Sequence, residues 1–110
     1  IYTKDFSNAL DLVFNKGENG EIYNIGTSDE ISNLILAKLI LKKLGKDESC
    51  IEFVNDRPFN DKRYSLELKK IKSLGWKQQY TFEQALYETI EWYKKNKNWW
   101  KNKTSEHIKR

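Results

Sequence analysis

A chain of 110 residues has room for at most one domain with a modest core, and its 38% hydrophobic and 14% aromatic content favours a folded protein over a disordered one. No apolar run approaches the roughly 18 residues of a membrane span, no secretion-signal pattern opens the chain, and a single cysteine (Cys50) and single histidine (His107) leave neither an internal disulfide nor a metal-ligand set, which suggests a reducing, cytoplasmic setting. The net charge of +4 is uneven: residues 94–110 carry seven Lys/Arg and one acid, whereas residues 1–93 carry thirteen basic and fifteen acidic groups, so the basicity describes a tail.

Ile1-Tyr2-Thr3 reads as the end of a strand or connection. Asp5 is suited to cap a helix whose apolar positions Phe6, Ala9, Leu10, Val13 and Phe14 keep helical spacing, with Lys16 and Gly17 closing it. A turn over Gly17-Glu18-Asn19-Gly20 leads to a short strand, Ile22 to Ile25, ending at Gly26. The next helix starts near Ser32 or Asn33 and stops at Gly45. Its apolar residues Leu34, Ile35, Ala37, Leu39, Ile40, Leu41 and Leu44 occupy so many directions that cover on more than one side is expected. Ile51 to Val54 reads as a second strand, followed by a loop. After Ser65 a helix is predicted from about Leu66 to Leu74, stopped by Gly75 with Trp76 packing behind it. Thr81 and Gln84 have capping-box spacing at the start of the last long helix, whose inward stripe is Phe82, Ala85, Leu86, Thr89, Ile90 and Tyr93. The prediction is a mixed α/β region, about four helices with two or three short strands, over residues 1–96. Residues 97–110 are expected to be a basic, partly disordered tail. Two short strands do not make a sheet that stands alone, so the region is expected to need a partner.

The chain holds only three arginines against seventeen lysines, and Arg57 and Arg63 share the stretch Asn55-Asp56-Arg57-Pro58-Phe59-Asn60-Asp61-Lys62-Arg63-Tyr64 with the only proline. Lysine serves for general surface charge, whereas the arginine fork grips phosphate or carboxylate through two bonds. Pro58 fixes its own φ and biases Arg57 away from helix, so the guanidinium leaves the backbone at a defined angle. That is a sensible anion grip. The structural alternative is an ion pair of Arg57 with Asp56 or Asp61, and for Arg63 a local pair with Asp61 or Glu67 is the simpler reading. Asn24, opposite Tyr23 and Ile25 by strand alternation, can offer an amide to a ligand at a sheet edge, or can simply cap a turn.

Other patterns carry less. Glycines 17, 20 and 26 do not fit the G-x-G-x-x-G dinucleotide spacing. Tyr93 and Lys97 have Tyr-x-x-x-Lys spacing, but Tyr93 falls on the predicted buried stripe, which marks the pair as a coincidence. Cys50 is most simply a core residue. Trp99 and Trp100 among Lys94, Lys95, Lys97, Lys101 and Lys103 interleave aromatics with charge as nucleic-acid surfaces do; the acidic body opposes that use, and docking of the tryptophans on the body is the simpler reading.

Taken in order, Asp5 with its helix, Gly20-Glu21-Ile22-Tyr23-Asn24-Ile25-Gly26, Asp56 to Tyr64, Leu74-Gly75-Trp76 and Thr89-Ile90-Glu91-Trp92-Tyr93 resemble the carboxyl-terminal third of the nucleotide-diphosphate-glucose 4,6-dehydratases, extended short-chain dehydrogenase/reductases with a Rossmann fold. The Pro58-Phe59-Asn60-Asp61 form, where bacterial dTDP-glucose enzymes typically have Gly and His at positions 59 and 60, resembles more the UDP-glucose 4,6-dehydratases of rhamnose biosynthesis. The resemblance implies that Asn24 and Arg57 hold the substrate diphosphate and that Asn60 and Asp61 lie beside the nucleotide; the hypothesis for Asn60, in place of histidine, is a hydrogen bond to the ribose or uracil side that helps accept UDP. It also implies NAD as an internal hydride carrier, a nucleotide-diphosphate sugar as substrate, a cytoplasmic homodimer, and no metal or membrane. The family's glycine-rich NAD loop, Tyr-x-x-x-Lys pair and Asp-Glu acid/base pair lie upstream of the matched region and are absent from this sequence, so no catalytic residue is assigned here. Within the superfamily, a UDP-glucuronate decarboxylase or a 4-epimerase is the nearest alternative. From other classes, the alternatives are a small nucleic-acid-binding module using the basic tail and a non-catalytic remnant with an exposed apolar face.

Overall fold

The computed structural model describes residues 1–61 and 63–104; the remaining predicted tail, with His107, lies outside the described residues. Among the described residues five α-helices follow one another: α1 (Thr3–Lys16), α2 (Asn33–Leu44), α3 (Lys69–Ser73), α4 (Phe82–Lys95) and α5 (Lys97–Thr104), with a 3₁₀ turn at Glu48–Cys50 between α2 and α3. Among the described residues there is no β-strand, which corrects the expectation of two or three. The physical reason is pairing: a strand exists only as part of a hydrogen-bonded ladder. The segment 22–25 still alternates as expected, with Tyr23 and Ile25 against the core and Asn24 exposed. In 51–54, Phe53 and Val54 are each 80% exposed, so that segment has neither ladder nor cover.

The core is small. Ala9, Leu68, Ile71 and Trp76 are buried, with Leu12, Val13, Tyr23, Ile25 and Leu74 packed against them. Gly26 passes close by: a Cβ there would sit 3.0 Å from Leu66 Cδ1, so the backbone approaches the 66–68 segment because no side chain intervenes. Residues 66–68 thus serve packing, and the helix predicted from Leu66 begins only at Lys69. Its end is as expected. Gly75 has φ +98°, its N–H bonds Lys72 O at 2.9 Å, and Trp76 N–H bonds Ile71 O at 3.4 Å, the paired bonds of a Schellman cap.

Several local expectations are corrected by tertiary demand. Asp5 is not a helix cap. It lies inside α1, 1% exposed, and its carboxylate accepts from the backbone N–H groups of Gln79 at 2.9 Å and Tyr80 at 3.4 Å. Its carbonyl accepts from Trp76 Nε1 at 3.4 Å, so α1 anchors the whole 76–80 connection. This rotates the inner face of α1 to Asp5, Ala9, Leu12 and Val13, leaving Phe6, Leu10 and Phe14 exposed. α2 packs on α4 and on the 3₁₀ turn, but none of its residues is buried, so the expected cover on more than one side is not found within this chain. Cys50 is exposed rather than in the core. On α4 only Ile90 is buried, and Tyr93 is 49% exposed rather than inward. The Thr81 capping box forms as predicted: Gln84 N–H donates to Thr81 Oγ1 at 3.3 Å and Thr81 N–H donates to Gln84 Oε1 at 3.0 Å.

α5 turns back on α4. Trp99 meets Trp92 edge-on at 5.1 Å, and Trp100 Nε1 donates to the Tyr93 carbonyl at 2.9 Å, so both tryptophans dock on the body. No helix among the described residues is long and apolar enough to cross a membrane.

Candidate functional site

A cleft of about 1270 Å³ opens between the start of α1, the 27–33 connection, the arginine loop and the α4–α5 aromatic wall. That exceeds the roughly 300–1,000 Å³ of typical small-ligand pockets. Arg57, Asn60, Asp61, Arg63 and Tyr64 line one side, and Trp92, Tyr93 and Trp99 line another. The cleft's position follows from three anchors. Asp5 fixes the 76–80 connection, Gln78 Nε2 donates to Asp29 Oδ2 at 2.7 Å, and Arg63 reaches across to Glu30.

The Arg63–Glu30 contact is bidentate, with Nε at 2.7 Å and Nη2 at 2.8 Å from the two carboxylate oxygens. This replaces the expected local pair with Asp61 or Glu67. The Arg63 guanidinium, and then the Ser65 hydroxyl, bond the charged form of Glu30 and hold its carboxyl below the usual range. Glu30 was not legible from spacing, because its partner lies 33 residues away. The only sequence signal was an acidic pair, Asp29-Glu30, standing just before the Ser32 cap of α2.

Arg57 is engaged differently. Its Nε and Nη2 donate to Asn60 Oδ1 at 3.2 and 2.9 Å, its backbone N–H donates to Asp56 Oδ1 at 2.9 Å, and Asn60 Nδ2 donates to the same Asp56 oxygen at 2.8 Å. Among the described residues the guanidinium makes no ion pair, neither with Asp56 nor with Asp61. Of the four residues singled out from sequence, Arg57, Asn60 and Asp61 are brought together on the cleft. Asn24 is not among the lining residues, and its Nδ2 donates to the Glu67 carbonyl at 3.3 Å.

Gly17 and Gly26 are taken up by packing. At Gly17 a Cβ would meet the Val13 carbonyl at 2.5 Å, and at Gly26 it would meet Leu66, so these glycines serve a helix end and core packing rather than a phosphate cradle. Tyr93 and Lys97 straddle the α4–α5 junction at Asn96, with Tyr93 held among Trp92 and Trp100. No cluster of three or more His, Cys, Asp or Glu suited to a metal ion occurs among the described residues.

No protein-family model matches the sequence. Individual relatives do. The chain is 45% identical over 101 residues to the Arabidopsis thaliana trifunctional UDP-glucose 4,6-dehydratase/UDP-4-keto-6-deoxy-D-glucose 3,5-epimerase/UDP-4-keto-L-rhamnose-reductase RHM2, covering 91% of this chain and 15% of that protein. It is 44% identical over 108 residues to the dTDP-D-glucose 4,6-dehydratase of Mus musculus, covering 93% of this chain and 30% of the relative. Among solved structures, the dTDP-glucose 4,6-dehydratase of Bacillus anthracis, in complex with NAD, superimposes with a TM-score of 0.83 at 43% identity over 90% of this chain and 32% of that one. DesIV, a dTDP-glucose 4,6-dehydratase from Streptomyces venezuelae with NAD and TYD bound, gives 0.84 at 40% identity over 89% of this chain and 31% of that one. The chain therefore spans between about a seventh and a third of the length of the relatives it matches. Over nine-tenths of its residues, sequence and fold thus agree with one part of the dTDP/UDP-glucose 4,6-dehydratases, its homologues at 40–45% identity.

Proposed function

We propose that the chain is the nucleotide-sugar-binding portion of a UDP-glucose or dTDP-glucose 4,6-dehydratase, an enzyme converting NDP-glucose to NDP-4-keto-6-deoxyglucose. The observation that carries this reading is the gathering of Arg57, Asn60 and Asp61 on one cleft in a chain 40–45% identical to such enzymes. Arg57 supplies charge-assisted donors to the diphosphate. Asp61 borders the nucleotide, and Asn24 is proposed, on the resemblance alone, as a second donor through the amide hydrogen that Glu67 does not take. NAD, bound outside this chain, supplies the hydride carrier; no proton or hydride step is assigned to residues here. Homodimeric assembly and a cytoplasmic setting belong to the same proposal.

Equilibrium binding of UDP-glucose and dTDP-glucose to the protein and to Arg57→Ala tests it. Loss of one charge-assisted contact predicts affinity weaker by about 2–4 kcal/mol. An unaltered affinity in the variant rejects the role of Arg57, and binding of neither nucleotide sugar by the parent protein rejects the reading as a whole.

A further inference from the structure

The arginine loop contains a device that its sequence does not announce. The Arg57 side chain is held by a neutral amide, Asn60, rather than by either neighbouring carboxylate. Asn60 is itself held by Asp56, whose Oδ1 also takes the Arg57 backbone N–H. A guanidinium has five N–H donors. The Asn60 carbonyl takes the Nε edge with one Nη2 hydrogen, which leaves the Nη1–Nη2 edge, the parallel fork that suits a phosphate. A carboxylate in the place of Asn60 would orient the fork equally well but would also neutralise it.

We infer that Asn60 is a positioning residue for Arg57: it fixes the guanidinium through an uncharged acceptor, so that both the Nη1–Nη2 edge and the full positive charge are presented to a diphosphate entering the cleft. This rests on the diphosphate-binding reading of the cleft and departs from an Asn60 that reads ribose or base directly, because its carbonyl and one amide hydrogen are already committed within the loop.

The test is calorimetric titration of the protein with inorganic pyrophosphate and with UDP, for the parent, Asn60→Ala, Asn60→Asp, Arg57→Ala and the double variant Arg57→Ala/Asn60→Ala, with far-UV circular dichroism confirming an unchanged fold. The expected result is a loss of about three- to tenfold in Asn60→Ala for both probes, since orientation is lost but charge is kept. Asn60→Asp should bind more weakly than Asn60→Ala, and the double variant Arg57→Ala/Asn60→Ala, which adds no carboxylate, no more weakly than Arg57→Ala, because the two residues act as one unit. A merely structural role would leave Asn60→Asp the milder change, as it keeps the acceptor. That ranking overturns the inference, as does a loss confined to UDP or an effect additive with that of Arg57→Ala. Those outcomes leave the diphosphate reading standing if Arg57→Ala still weakens both probes. Binding of neither probe by the parent overturns both.

Discussion

Asp5 shows how far a single residue can depart from its local signal. An aspartate just before a helical apolar pattern reads as a cap, yet the backbone donors it serves belong to Gln79 and Tyr80, more than seventy residues away. Those N–H groups sit in a partly buried connection where water does not replace a lost acceptor. Asp5→Asn keeps the shape but turns an amide toward at least one N–H, and should cost ~1–3 kcal/mol in urea unfolding, with an unchanged slope. An unaltered midpoint would mean that the connection is held by other contacts. Arg63 carries the same lesson at the site: the sequence suggested partners within four residues, whereas Glu30 comes from the far side of α2. Arg57 was legible as a candidate because Pro58 and the scarcity of arginine are local facts. The neutrality of its partner was not, since Asp56, Asn60 and Asp61 were all within reach and only geometry chooses among them.

At the scale of elements, features set by neighbouring residues were legible and features set by distant ones were not. The capping box at Thr81 and the glycine stops at Gly45 and Gly75 need only a few adjacent residues, and all three form. Thr81→Ala should lower stability by ~1 kcal/mol by leaving a helix N–H without its acceptor, seen as a lower thermal midpoint. Gly75→Ala should cost ~1–2 kcal/mol, because an L side chain is strained at φ +98° even though a Cβ would find open space there. If Gly75→Ala proves neutral, the Schellman turn after α3 must relax without loss. Strands, by contrast, are not a property of one segment. Ile51 to Val54 has the composition of a strand, but composition cannot supply a ladder partner, and none of the described residues does so. The inner face of α1 departs from its apolar spacing for a related reason: burial of Asp5 against a distant connection turns Phe6, Leu10 and Phe14 outward.

The whole molecule is open. Its radius of gyration is 17.4 Å, where a compact domain of about this length has about 13 Å. Its accessible surface is 9847 Å², where a compact monomer of 13.2 kDa exposes about 6,400 Å². Exposed apolar side chains such as Phe14, Ile22, Phe53 and Phe59 account for part of the excess, and a hydrophobic dye such as ANS should bind the native protein strongly, with weak fluorescence counting against this architecture. With so little core, ion pairs between distant segments matter more to cohesion. Glu88 on α4 accepts from Lys4 Nζ at 2.8 Å and from the Tyr2 hydroxyl at 2.7 Å, tying the start of the chain to α4. Those two bonds, Lys4 first, hold its carboxyl below the usual range, as Lys70 does for Glu21 and as Arg63 and Ser65 do for Glu30. A carboxyl depressed on folding contributes stability that is present above its ordinary value and is lost as pH falls through the depressed one. The Lys4 ammonium, raised mainly by Glu88, works in the opposite sense: its contribution is complete below its ordinary value and fades as pH rises beyond it. These groups are substantially exposed, so the effect is modest and weakens with salt. Thermal midpoints measured from pH 7 down to pH 3 should therefore fall on the acid side in the parent and fall less steeply in Glu88→Gln, with the difference between the two shrinking in 0.5 M salt; parallel curves at low salt would show that the Lys4–Glu88–Tyr2 tie contributes nothing to holding the open chain together.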